Sequence, residues 1–139
     1  MKAILLPFTK KIGIKHAQSN EYLLQLDFNE HVTNHIGTTH ASASYALAET
    51  TSGVFLEVNF AEIAERTIPI LRASSVKYKK GGLSTLYSNA KLIGTNITEV
   101  TNLLLTKKKA MFVIHVKLYN ENKEVVMVAD FEWFVTLKP

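Results

Sequence analysis

The 139-residue sequence predicts an α+β domain in which one long helix is wrapped by an antiparallel sheet of five to six strands. Three observations carry this. Residues 39–60 hold a helical repeat rich in alanine and serine. Residues 70–136 break into four segments rich in Val, Ile, Leu, Phe and Thr. Short turn-forming stretches separate those segments.

Taken in order, residues 4–14 predict a short helix packed over the rest of the domain. Residues 21–28, EYLLQLDF, mix alternating and continuous apolar character and read as a strand. The polar run NEHVTNHIGTTH that follows has no periodicity and reads as a loop. The long helix then starts behind Thr38 or Thr39, whose hydroxyl can accept an orphan backbone N–H. Ala41, Tyr45, Ala48, Ser52 and Phe55 recur at helical spacing and define a buried face. The small side chains at its start admit a close sheet, so the helix is expected to be wrapped rather than laid on a surface. Residues 70–79, 83–97, 110–119 and 123–136 read as strands. Gly81-Gly82, Thr106-Lys107-Lys108-Lys109 and Asn120-Glu121-Asn122 stand where hairpin turns belong. Short turns join antiparallel neighbours, which predicts a single meandering sheet.

The length suits a single domain over residues 1–139 with a core that needs neither metal nor disulfide. There is no cysteine, which excludes thiol nucleophiles, thiolate metal sites and disulfides. The N-terminal apolar stretch ends at Lys10 and is shorter than a secretory core of ~7–15 residues followed by a cleavage site. No uncharged apolar run approaches the ~20 residues that span a bilayer. The expectation is a cytoplasmic protein that does not engage membranes.

Charge is uneven. Residues 1–69 carry five Lys and Arg against seven Asp and Glu, a net of −2; residues 70–139 carry eleven against five, a net of +6. The basic half includes Lys77, Lys79, Lys80 and the Lys107–Lys109 run, which can meet phosphates or simply solubilise turns and sheet edges. No aromatic residues interleave with these lysines and no nucleic-acid motif is present, so nucleic acid is not an expected partner.

The informative stretch is Asn34-His35-Ile36-Gly37-Thr38-Thr39-His40-Ala41, followed by Glu49 nine residues after His40. In it the sequence resembles the hotdog-fold thioesterases, in particular their phenylacetyl-CoA thioesterase-like branch. That branch has an Asn, a Gly three residues later, a His-Gly pair three further on, and an acid nine residues after the His. Asn34, Gly37, His40 and Glu49 fall on those positions, and the likeness of element order runs over about residues 20–136. The resemblance implies a hotdog fold acting on an acyl-CoA or acyl-carrier-protein thioester as a homodimer or dimer of dimers. It implies no cofactor beyond the CoA of the substrate. It casts Glu49 as the catalytic carboxylate, base or nucleophile, and Asn34 as the group that orients water or thioester. It casts the Ala41 N–H as the oxyanion donor, and His40 as the residue that shapes the turn. Gly37 would let the loop turn tightly, and Lys77, Lys79 and Lys80 would bind the phosphates of CoA. Two departures bear on the substrate: Ala41 replaces the usual glycine, and the Ser or Thr that some members carry on the next strand has no counterpart around Ile70–Arg72.

Elementary chemistry runs parallel to the resemblance. Attack on a thioester places negative charge on the carbonyl oxygen, and N-terminal helix N–H groups are free to meet it. Nine helical residues rise about 13.5 Å and turn about 900°, which sets Glu49 opposite His40. Both can reach one carbonyl only if the site combines two chains. Read plainly, Glu49 instead belongs to a solvated stripe with Ser42, Ala46, Gly53 and Glu57. His31, His35 and His40 lie in a loop with no evident third partner, so no metal is expected. His115, Phe131 and Trp133 read as packing residues of strands. Two functions remain open: a thioester hydrolase, or a non-catalytic acyl-CoA-binding protein acting as sensor or regulator.

Overall fold

A computed structural model describes residues 2–139. A 3₁₀ turn at Ala3–Leu5 leads into α1 (Pro7–Ile12), which ends at Gly13 in the left-handed region, φ 94°. Two short strands follow, β1 (Ile14–His16) and β2 (Leu24–Leu26), then the loop and the long helix α2 (Ala41–Asn59). A four-residue α3 (Ala61–Ala64) turns the chain into β3 (Thr67–Tyr78). The remainder is β4 (Leu86–Ile93), α4 (Ile97–Lys107), β5 (Lys109–Tyr119) and β6 (Val125–Leu137).

All six strands form one antiparallel sheet in the order β1-β2-β4-β5-β6-β3. The concave face closes on α2. Ala46, Leu47 and Ala48 are all buried, and so are Thr50, Thr51 and Ser52. Three consecutive helical residues span about 200° of the circumference, so the helix is enclosed, as its alanine and serine content predicts. Strand β5 buries every second residue, Phe112, Ile114, Val116 and Leu118 facing α2 with Phe131 from β6. A short polar contact crosses this core: Thr51 Oγ1 donates to the Leu47 carbonyl at 2.7 Å and pairs with Ser88 Oγ at 2.6 Å. The architecture is the hotdog fold.

Three expectations are corrected. The sheet is not a meander: β3 pairs with β6 and forms the far edge, so the Gly81-Gly82 stretch carries the chain across the fold instead of making a hairpin. The Gly82 carbonyl accepts from the Thr39 N–H at 2.9 Å, and a Cβ on Gly82 would stand 3.3 Å from Leu86 and 3.4 Å from Thr39 Oγ1. Any side chain there would press on these two neighbours, so glycine suits a crossing this close to the helix start. Second, residues 97–107 are a helix, where the sequence reading ends a strand at 97, begins a turn at 106 and assigns 98–105 no element. Asn96 Oδ1 accepts from the Glu99 N–H at 2.9 Å, and Val100 and Leu104, one turn apart, are buried. Lys108, read as a turn residue, ends α4 in the left-handed region at φ 64°. Third, the expected buried face Ala41-Tyr45-Ala48-Ser52-Phe55 holds only in part: Ala48 and Ser52 are fully buried together with Leu47 and Thr51, but Ala41 is exposed and Tyr45 and Phe55 are half-buried.

Candidate active site

The loop before α2 is built on its own side chains. Asn34 Oδ1 accepts the N–H groups of Ile36 (3.1 Å) and Thr38 (3.0 Å), and its Nδ2 donates to Thr38 Oγ1 (2.7 Å). Gly37 sits at φ 79°, where a side chain would be strained. The loop is tied down by the Asn34 N–H to the Thr38 carbonyl at 2.8 Å and the His40 N–H to the Val32 carbonyl at 2.7 Å. Asn34 therefore organises the turn, and one hydrogen of its amide has no partner among the described residues. On the thioesterase expectation, Asn34→Ala should lower turnover by up to ~10², less than loss of the Glu49 carboxylate, because displacing a positioned group by about an ångström is enough to do so. Asn34→Asp, which keeps both acceptor bonds, should recover part of it; steady-state kinetics of the pair checks the role.

The helix cap is His40, not Thr38 or Thr39. Its Nδ1 accepts from the Ser42 N–H at 3.0 Å, so a neutral His40 carries its proton on Nε2. The His40 carbonyl takes the N–H groups of Ala43 (2.9 Å) and Ser44 (3.1 Å). That leaves the Ala41 N–H as the first-turn donor without an acceptor among the described residues, in an exposed position at the positive end of a 19-residue helix. It borders a cavity of about 330 Å³ shared with Asn34, Tyr78, Lys79 and Lys80. Neither Gly37 nor His40 reaches this cavity wall; both act by shaping the loop.

Glu49 lies elsewhere. It borders a second, larger cavity of about 620 Å³, with Gly53, Phe60, Leu104, Phe112 and Trp133 among its walls. No cation and no hydrogen-bond donor among the described residues contacts its carboxylate, and burial alone pushes its pKa above the ordinary glutamate value. Apart from Ser42, which is exposed, the stripe that sequence reading places on the solvated side is at least half-buried. Ala46 is buried, Ala3 Cβ comes within 3.5 Å of where a Gly53 side chain would start, and the Ala3 N–H donates to Glu57 Oε1. Within one chain the two halves of the motif thus face different cavities, Ala41 and Glu49 standing eight residues and about 12 Å apart along the helix.

The lysines divide. Lys79 and Lys80 stand at the Asn34–Ala41 cavity, though Lys80 Nζ is paired with Glu124 Oε2 at 2.6 Å. Lys77 is exposed on β3 outside that wall. The Lys107–Lys109 run lies at the opposite end of the sheet, where Lys109 pairs with Thr136. His115 Nδ1 meets Asp130 Oδ1 at 2.6 Å across β5 and β6, and Phe131 is core. Trp133 does more than pack: its Nε1 donates to Ser52 Oγ at 3.0 Å, Ser52 Oγ donates to the Glu49 carbonyl at 2.7 Å, and its ring walls the Glu49 cavity. Gly53, a mid-helix glycine that costs about 1 kcal/mol against alanine, lies in this wall and was the signal available in the sequence.

The sequence profile of a family described as a domain of unknown function (DUF4442) matches residues 1–135. No curated protein matches the sequence. Among solved structures, a Pseudomonas aeruginosa protein described as a probable thioesterase shares 19% identity with TM-score 0.78, covering 97% of this chain and 91% of its own. A Haemophilus influenzae thioesterase shares 14% with TM-score 0.73, over 96% and 85%. A hypothetical thioesterase from Streptococcus pneumoniae, solved with coenzyme A, shares 18% with TM-score 0.65, over 91% and 88%. At these identities the likeness is one of fold, the hotdog fold.

Proposed function

The chain belongs to this DUF4442 family, and from the geometry of its two half-sites we propose that it hydrolyses acyl-CoA thioesters as a homodimer. The carrying observation is Glu49, a carboxylate bordering a mainly apolar cavity, with no ion pair among the described residues and a pKa raised by burial. A protein that only held acyl-CoA would have no use for such a group. In the reaction Glu49 takes a proton from water as the water oxygen bonds to the thioester carbon. The oxyanion that forms accepts the Ala41 N–H. Its collapse breaks the C–S bond, and the proton held by Glu49 leaves with the CoA sulfur. A carboxylate shifted upward toward working pH is a better proton acceptor than an ordinary glutamate.

The position of β3 supports a composite site. It is a 12-residue edge strand, paired only with β6 and largely exposed, the kind of edge that invites a second strand. Its N-terminal end, Thr67 and Pro69, borders the Glu49 cavity, and its C-terminal Tyr78 borders the Ala41 cavity. Antiparallel pairing of two β3 strands about a two-fold axis sets the first end of one copy beside the second end of the other. Each Glu49 then meets the helix terminus of the partner, twice per dimer. The structural neighbour that carries coenzyme A is consistent with the ligand class.

A thiol-release assay over a panel of acyl-CoAs tests the reading. Turnover should rise with pH on the acid side, because only ionised Glu49 is competent, with a midpoint above the ~4.3 of an unperturbed glutamate. No thiol release from any acyl-CoA would remove the hydrolase reading and leave acyl-CoA binding by a sensor or regulator.

A further inference from the structure

Granted the thioesterase reading, on which this inference rests, the acyl group has to lie in the cavity that Glu49 borders. Its floor is α2 itself. From Glu49 past Gly53 and Leu56 to Phe60 is eleven residues, about 16 Å at 1.5 Å per residue. The rings of Phe60 and Phe112, centroids 6.0 Å apart, stand at the far end. The lining is mainly apolar: Lys2, Glu65 and Lys138 are exposed at the rim, Glu57 accepts from the Ala3 N–H, and Thr9, Thr50 and Thr67 are the other polar residues beside Glu49.

The roof is unusual. Leu6 and Phe8 border the cavity and yet are 40% and 64% exposed, apolar side chains that the fold leaves partly in solvent. A ligand in the cavity would give them something to cover. The segment that carries them is anchored where it meets α2, at the Ala3–Gly53 contact and the Ala3–Glu57 hydrogen bond, and at its end by the Gly13 cap.

An extended alkyl chain with C–C bonds of about 1.5 Å advances ~1.3 Å per carbon, so about twelve carbons fill the length from Glu49 to the Phe60–Phe112 pair. We propose that this cavity holds a straight acyl tail of about ten to twelve carbons, with Leu6 and Phe8 as specificity-determining roof residues and Ala64 in the lining one turn beyond Phe60. Medium-chain fatty acyl thioesters are then the substrate class.

Trp133 is the only tryptophan of the chain and walls the cavity, so its fluorescence reports occupancy without any need for turnover. The probes are saturated fatty acids from four to sixteen carbons, titrated into the full chain, with phenylacetate as the aromatic control. Affinity should rise about three- to fourfold per added methylene and level off near twelve carbons. Phe8→Ala and Leu6→Ala should weaken ten- and twelve-carbon acids severalfold and leave the four-carbon acid unchanged. Ala64→Phe should move the levelling point to shorter chains; Ala64 is only half-buried, so the fold should accept it. A flat dependence on length, tighter binding of phenylacetate than of decanoate, or a levelling point that ignores Ala64→Phe overturns the proposal. The two readings fail separately. Length-dependent binding without hydrolysis of any acyl-CoA keeps the acyl cavity and removes the hydrolase; hydrolysis with no length dependence does the reverse.

Discussion

Glu49→Gln is expected to lower thioester turnover by ~10²–10⁴, the usual cost of losing a general base, while the protein folds and assembles as before. The amide has nearly the shape of the carboxylate and cannot accept the proton of the attacking water. Stability offers an independent control. Burial raises the Glu49 pKa, so the folded state holds this proton more tightly than the unfolded chain does. The stability tied to protonation is full below the unfolded pKa and is lost as pH rises through the folded one. Glutamine never pays that charging cost. The variant should therefore melt at a higher temperature than wild type at neutral pH, with the difference vanishing below about pH 4. A dead enzyme that is more stable at pH 7 separates loss of chemistry from loss of fold. Turnover within a few-fold of wild type would take Glu49 out of the mechanism.

Ala41→Pro is expected to cost ~10²–10³ in turnover, the typical effect of deleting one oxyanion donor. Proline removes the N–H and little else. Ala41 is the first residue of α2, where proline's fixed φ suits the helix and its missing donor has no internal partner to lose. His40 before it is extended, φ −63° and ψ 137°, as the residue preceding a proline must be. Mixing this variant with Glu49→Gln after dissociation should then restore activity. In a mixed dimer one site joins the intact helix terminus of the glutamine chain to the intact Glu49 of the proline chain; the other site has neither. Half the dimers in a statistical mixture are mixed and each has one working site of two, so about a quarter of wild-type activity returns. A mixture that stays dead while mixed dimers demonstrably form, or a fully active monomer, would mean each site lies within one chain.

Local rules already mark several site residues. The Asn34–Gly37 turn needs an Asx side chain and a left-handed glycine, and both needs are met within five residues. The orphan donors at a helix start and the opposite facing of positions nine apart follow from helix geometry alone. The cap went to His40 because an imidazole nitrogen can accept from the second following N–H as a hydroxyl would, a substitution that propensity does not rank. Helix α4 is missed when the preceding strand is read to 97, through its cap: Asn96 and Glu99 form the capping pair, and Val100 and Leu104 supply its short buried stripe.

The sequence by itself determined the enclosed helix, the strand-rich second half, the turn before α2 and the separation of Glu49 from the helix terminus. Each depends on contacts within a few residues or on the period of one element. Only the tertiary structure decided that β3 joins the far edge beside β6, that the N-terminal segment crosses Gly53, and that Trp133 and Phe112 wall the cavity under Glu49. Those choices rest on pairings between residues some fifty or more positions apart. Many strand orders bury the same alternating residues equally well, so the pattern that specifies each strand does not specify its neighbour.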